Sequence, residues 1–338
     1  MRVKLLIATG DIDYAGHLSD VICANHSDLI EVSVCQTEDS FRELLAYQRF
    51  DAAALDSAWA EEADTSRICL PLLFWVQGDG LTAAAPARYG RLRKYQRVSR
   101  IVESIVEQYA KVASDRPAAD HDKARVTAVW SPAGGTGKTT VALAYAAGQA
   151  ASARQTLYLN LEYFSSVPAY FPDTSRSISA VFEMLETCEG DAETLLRGIQ
   201  RRDEDTGIIY FGRPDNFDDM TILSAENVAQ LISACAGAAD ELIVDMSCGC
   251  DDRAKRVFEL ADRVLIVTDP GSAAQAKLSQ FTAQSDVYPS IAGKATLVAN
   301  KGAAAYGAMA GNSVRLPIIQ SPHASEVYKA LAGSNFES

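Results

Sequence analysis

The chain has 338 residues, 44 acidic against 31 basic side chains and a formal net charge of −13, a length that suits about two domains. That balance repels DNA phosphates and anionic lipid, and the longest apolar run, residues 68–76, is too short for a bilayer and is broken by Pro71. Seven scattered cysteines, with Cys248-Gly249-Cys250 too tight for the usual metal spacing, point to reduced thiols in a cytoplasmic protein. The start, Met1 to Ala8, has the basic opening of a signal peptide. Its apolar run stops at Thr9-Gly10-Asp11, so a first strand is the better reading.

Apolar runs at Val3–Ala8, Leu29–Val34, Ala52–Leu55 and Leu72–Val76 predict buried parallel strands. Helical spacing lies between them over Ala15–Ala24 and Ser40–Gln48. A last helix, Val98–Val112, carries Ile101, Val102, Ile105, Val106 and Tyr109 on one stripe. The densest basic stretch, Arg91, Arg93, Lys94, Arg97 and Arg100, reads as a solvated helix start. This βα alternation predicts an α/β, flavodoxin-like domain over residues 1–112. Residues 113–124 are polar and aperiodic and read as a linker.

The second domain is predicted over residues 125–338, again α/β, with a mostly parallel sheet. Val126–Trp130 has strand character, and Ser131-Pro132-Ala133-Gly134-Gly135-Thr136-Gly137-Lys138-Thr139-Thr140 leads into the helix former Val141–Ala147. A strand, a glycine-rich turn and a helix start together make a phosphate-binding loop, a P-loop. Backbone N–H groups from Ala133, Gly134, Gly135, Thr136, Gly137, Lys138, Thr139 and Thr140 can cradle an anion, because glycines leave the approach open. Lys138 is placed to reach the β- and γ-phosphates, and the Thr139 hydroxyl to ligate Mg²⁺. Downstream, Glu241–Asp245 is an apolar strand ending in an acid, the pattern of a Walker B aspartate beside Mg²⁺. Asp245-Met246-Ser247-Cys248-Gly249 keeps the Asp-x-x-x-Gly spacing by which the Gly249 N–H can sense a γ-phosphate. A strand cap at Asp245 and a plain loop acid at Glu162 are the structural alternatives. Arg263–Thr268 and Ala295–Ala299, the latter followed by Asn300-Lys301, add further strands. Ala303 stands where a GTPase needs an acid for guanine, so ATP is expected over GTP.

The Gly-Gly-x-Gly-Lys-Thr-Thr run resembles the deviant Walker A loop of the MinD/ParA superfamily. Members usually open the loop with a second lysine that reaches the partner's nucleotide across a dimer; here that position is Ala133. They end the second strand Asp-x-Asp, whereas this chain has Asn160 and Glu162. The resemblance makes Lys138, Glu162 and Asp245 the catalytic candidates and Thr139 and Asp245 the Mg²⁺ residues. It also puts Asn300 against adenine and Pro317 at the base pocket. The two replacements imply slow or absent hydrolysis, since water-orienting geometry is sensitive to about an ångström.

Residues 1–112 resemble a response-regulator receiver domain, with Asp56 at the phospho-acceptor position and Lys94 near the family's lysine. Thr9-Gly10 stands where receivers carry an acidic pair, and Tyr95 where they carry proline, which implies an interaction module. The two halves together resemble the TadZ/CpaE group of the MinD/ParA superfamily. That resemblance implies ATP with Mg²⁺, a homodimer, pilus and secretion assembly partners, and recruitment to a cell pole or inner-membrane machinery. It implies neither specific nucleic-acid binding nor direct membrane insertion. The alternative is a ParA- or MinD-type positioning ATPase acting on DNA or membrane. The acidic balance disfavours DNA, and a tail with only Lys329 between Ser321 and Leu331 disfavours a membrane helix.

Overall fold

The structure is a computed structural model and describes residues 2–27, 29–60, 65–76, 88–112, 124–172, 176–187, 190–305 and 309–336. The chain divides into two compact units, Met1–Pro117 with Glu189–Gly198, and Ala118–Cys188 with Ile199–Ser338. Apart from Ala124, the linker expected over 113–124 lies outside the described residues.

The first unit begins with β1 (Val3–Ala8), α1 (Ile12–Asn25), β2 (Ile30–Cys35), α2 (Glu38–Tyr47) and β3 (Phe50–Leu55). It continues with α3 (Ser57–Ala60), β4 (Ile68–Trp75), β5 (Gly90–Arg93) and α4 (Val98–Val112). All five strands pair in parallel in the order β2-β1-β3-β4-β5, one of the two common doubly wound orders, with its switch point between β1 and β3. Alternation along β1 sends Leu5 and Ile7 into a core under α1 and α4, and Leu6 and Ala8 into a second core under α2. Asp11 and Thr37 cap α1 and α2 by accepting from the N–H three residues on.

Two readings change here. The apolar run through Pro71 is one strand, with Pro71 opposite Ala53 and one ladder donor fewer. The basic stretch is not a helix start. Leu92 is buried and fixes Arg91 and Arg93 on an edge strand, Lys94 is buried, and the helix begins at Val98.

In chain order the elements that follow are β6 (Arg125–Trp130), α5 (Lys138–Ala151), β7 (Thr156–Leu161), α6 (Ser179–Thr187), α7 (Ala192–Ile199), β8 (Arg201–Arg202), β9 (Ile209–Tyr210), α8 (Asp219–Ile222) and α9 (Ala225–Ala236). Then come β10 (Glu241–Met246), α10 (Asp252–Leu260), β11 (Arg263–Thr268), α11 (Ser272–Thr282), α12 (Val287–Ile291), β12 (Ala295–Ala299), β13 (Ser313–Arg315) and α13 (Ala324–Leu331). The sheet runs β13-β12-β11-β6-β10-β7-β9-β8, parallel throughout except for the β8–β9 edge pair, a P-loop NTPase-like arrangement. Central α5 is buried along Val141–Ala147, as a helix apolar on most faces must be. α13 places Tyr328 and Leu331 in the same core as Tyr145 of α5, so the apolar face of the tail helix is taken up inside the fold. Among the described residues no helix is long and apolar enough to cross a membrane.

Candidate nucleotide-binding site

Strand register assembles the site. β10 lies between β6 and β7, with Asp245 opposite Val129 on one side and Asn160 on the other. The glycine loop leaves β6 at this end of the sheet, and Lys138 opens α5 directly after it. Carboxyl ends of parallel strands are where α/β sheets place ligand sites.

The loop's geometry needs its glycines. Gly135 and Gly137 have φ of 75° and 90°, a left-handed conformation that side chains resist. A Cβ on Gly137 would also sit 2.5 Å from Asn300 Nδ2. Asn300 braces the loop, its Nδ2 donating to the Thr136 carbonyl at 2.9 Å, and Lys301 Nζ donates to the Gly135 carbonyl at 2.5 Å. Lys301 itself holds a left-handed φ of 52°. On the other side, Trp130 Nε1 donates to the Gly249 carbonyl at 2.9 Å, tying the strand before the loop to the Asp-x-x-x-Gly turn. Cys248 lies beside Gly134, with its Sγ 4.0 Å from where a Gly134 Cβ would be. Ala133, Lys138 and Thr139 are buried, and a methyl group stands where a second lysine would otherwise be offered.

The acids form one network. Glu162 Oε2 accepts from Thr139 Oγ1 at 3.4 Å, Asn160 Nδ2 at 3.4 Å and Ser166 Oγ at 3.2 Å. Asp245 Oδ2 accepts from Tyr158 O–H at 2.8 Å and from Asn160 Nδ2 at 3.2 Å. The amide at position 160 thus bridges the two carboxylates. Asp245 is fully buried, and burial, followed by the Glu162 charge, pushes its carboxyl up to about 7. Its Oδ1 is buried with no protein partner. A buried carboxylate oxygen left unpaired beside a threonine hydroxyl and a lysine suits a hydrated Mg²⁺ with phosphates. The residues present therefore fit a Mg-nucleotide.

Asn300 is 5% exposed and its Nδ2 points at the loop. Pro317 lies just past β13, exposed, next to Ile318, whose side chain packs against Gly302. Ala303 is buried and offers no carboxylate. Thr140 shares a 3.0 Å hydrogen bond with the Tyr170 hydroxyl. The structure adds Tyr158, Ser166, Tyr170 and Lys301 to the residues singled out from sequence. Tyr158 alone had a signal, its place two residues before Asn160 on the same side of a strand.

In the first unit, Asp56 follows β3 at the switch point. Its Oδ2 accepts from Thr9 Oγ1 at 2.7 Å and from the Gly10 N–H at 3.0 Å, and its Oδ1 from Lys94 Nζ at 3.3 Å. Lys94 also donates to Thr9 Oγ1 at 3.1 Å and lies over the rings of Tyr14, Phe74 and Tyr95 at 5.1, 5.4 and 5.7 Å. Asp11 accepts from the Tyr95 hydroxyl at 2.7 Å, and this bond is the main cause that lowers its pKa.

No family model matches the chain, and no curated protein does. Among solved structures the chain is similar to a ParA family ATPase from Chlorobium tepidum, at 19% identity and a TM-score of 0.49 over 63% of this chain and 93% of that one. It is similar to the cell division ATPase MinD from Pyrococcus furiosus, at 16% identity and 0.42 over 61% of this chain and 79% of that one. It is also similar to a cobyrinic acid a,c-diamide synthase from Mycobacterium smegmatis, solved with an ATP analogue and magnesium, at 17% identity and 0.42 over 61% and 78%.

Proposed function

We propose that this chain is a Mg-ATP-binding positioning protein of ParA/MinD type that turns its nucleotide over slowly. The observation that carries this reading is Lys138, Thr139 and Asp245 gathered at one end of the sheet, with a buried carboxylate oxygen left unpaired. Bound Mg-ATP would supply the phosphoanhydride and the metal's Lewis acidity. The chain supplies the rest. Loop amides and Lys138 neutralise phosphate charge, Thr139 and Asp245 hold the metal's shell, and Asn300 keeps the loop in shape. Glu162 Oε2 accepts from Thr139, Asn160 and Ser166, and the longer side chain projects its carboxylate one methylene further than an aspartate, a displacement to which water-orienting geometry is sensitive. With Ala133 in place of a second lysine, one transition-state cation is missing, a loss worth about a hundred- to a thousandfold in rate.

Calorimetry tests the binding. ATP with Mg²⁺ binds the wild type, and Lys138→Ala weakens binding by about 1.5–3 kcal/mol, the worth of one charged hydrogen bond. Equal affinity in both proteins overturns the reading. Turnover on the same samples is expected below roughly 1 per second, the low end of ordinary enzymes.

A second reading narrows the role to assembly of a Tad-type pilus or secretion machine at a cell pole. It is supported by a first unit with the 2-1-3-4-5 strand order, whose Asp56 already holds Thr9, Gly10 and Lys94 as donors. Polar localisation of a labelled protein that vanishes when residues 1–112 are deleted supports that reading, and localisation indifferent to the deletion refutes it.

A further inference from the structure

Outside the nucleotide site, one region of the second unit leaves large apolar side chains in water. Phe164 is 80% exposed, Phe217 46% and Ile222 42%. Phe164 and Phe217 stack on each other with ring centroids 5.6 Å apart, so these two rings form one exposed patch, and Ile222 follows five residues after Phe217. Single exposed hydrophobics need no explanation, whereas a contiguous aromatic patch marks an interaction site. Beside it Tyr163, Met220, Leu223, Val228, Met246 and Val257 line a cavity of about 80 Å³. Met220 lies one turn beyond Phe217, with its N–H bonded to the Phe217 carbonyl, and Tyr163 directly precedes Phe164, so residues of the cavity adjoin both rings along the chain. The cavity is mostly apolar, with Ser247, Asp251 and Arg253 also in its lining, and it is far smaller than a small-molecule pocket, so it suits one side chain.

Charge identifies the occupant. From Pro214 to Asp252 the chain contains no lysine or arginine. Asp215 and Asp218 flank Phe217 in solvent, and exposed Glu226 follows Ile222 on α9. The bases at the two ends of this stretch are Arg213, which is exposed, and Arg253, so the three acids Asp215, Asp218 and Glu226 outnumber one exposed cation. Arg253 bonds to Asp251, the Met220 carbonyl and the Tyr163 hydroxyl, so its charge is matched within the fold. Nucleic acid and anionic lipid are repelled by such a rim, and a second copy would bring the same acids with it.

We propose that this patch docks a basic protein segment that seats one apolar side chain in the cavity beside Tyr163 and Met220. Aromatic contact and anchor burial supply the affinity, and the acids supply orientation and association rate. Met246, Ser247 and Gly249 also border the cavity, so the segment would touch the stretch that leads from Asp245 to the Gly249 turn.

The test uses the full chain without nucleotide, so its outcome is separate from that of the ATP-binding experiment. The probe is a dye-labelled, synthetic amphipathic leucine/lysine helix, with a leucine/glutamate helix and a serine/lysine peptide as controls, read by fluorescence anisotropy. Saturable one-to-one binding of the leucine/lysine probe alone is expected. Phe164→Ser with Phe217→Ser, and separately Asp215→Asn with Asp218→Asn, should each weaken it by about tenfold or more. All four side chains are exposed, and unchanged circular-dichroism melts establish that the variants fold. No saturable binding, equal affinity in the variants, or equal binding of a control peptide overturns the proposal. A change in the nucleotide-free self-association of the phenylalanine variant by light scattering assigns the patch to a second copy and also overturns it.

Discussion

Asp245 is a site carboxylate whose chemistry the fold alters. Burial, followed by the Glu162 charge, pushes its carboxyl up from the ordinary 3.8 to about 7 in the folded protein. Between those values the folded chain keeps a proton that the unfolded chain has released, so folding stability falls as pH rises through this window. Asp245→Asn removes that loss while the Tyr158 hydroxyl can still donate to the amide oxygen. Above pH of about 7, the expected outcome is a Tm for the ligand-free variant higher by at least about 2 °C, the shift that about 1 kcal/mol gives a domain of this size. Its melting temperature should also depend less on pH between about 4 and 7 than that of the wild type. Thermal melts across that range check both points, and a variant less stable than wild type above neutrality contradicts the assignment. Lys138, Thr139 and Asp245 are legible in sequence because loop spacing and strand ends are local patterns. Ser166 and Tyr170 are not. Their hydroxyls reach Glu162 and Thr140 only because the backbone after β7 folds back over the loop.

At the scale of elements, strong apolar periodicity carries furthest, and α4 spans the same residues, Val98–Val112, that its stripe of Ile101, Val102, Ile105 and Val106 predicts. Short elements with polar faces are harder to read. β5 has one inward residue, Leu92, between two arginines, so neither helical nor strand periodicity can emerge from it. The stretch between Glu162 and Asp240 contains α6, α7, α8, α9 and the two-residue strands β8 and β9, none of them among the elements expected from sequence. α7 shows why. Residues 190–198 pack within the first unit, where the Asp191 N–H donates to the Ala110 carbonyl at 2.7 Å. Asp191 also caps the helix by accepting from the N–H groups of Glu193 and Thr194. Two glycines permit the approach. Gly190 has a φ of 93°, with a would-be Cβ 2.5 Å from the Ala110 carbonyl, and a would-be Cβ on Gly198 collides with Val106. Gly198→Val should therefore overpack the contact with α4 and cost about 1–3 kcal/mol. The expected readout is a lower Tm and faster amide exchange along α4. Unchanged exchange there would show that the contact is absent in solution.

For the whole molecule, the two sheets point to different uses of the same αβ logic. At the first unit's switch point, Thr9, Gly10 and Lys94 already occupy both oxygens of Asp56, so the carboxylate is satisfied without phosphate or metal. At the second unit's corresponding end, Asp245 keeps one buried oxygen without a protein partner. Nucleotide is thus the expected switch of the chain, and the first unit is expected to act through its surface. We expect Mg-ATP to promote a homodimer through the second unit, with the loops around Gly134, Glu162 and Gly249 meeting their symmetry mates. Every such contact counts twice across a two-fold axis, so a modest change per chain moves the equilibrium strongly. Each copy carries a net charge of −13, and Ala133 contributes no cation across the interface. Screening those charges by salt should therefore favour association, the opposite of what a lysine reaching a partner's phosphates would give. Light scattering with and without Mg-ATP, at low and at moderate salt, measures both effects. The expected outcome is a dimer fraction that rises with nucleotide and rises again with salt. A strictly monomeric protein in all four conditions rules out the assembly, and a dimer that salt dissolves shows that cross-interface ion pairs hold it instead.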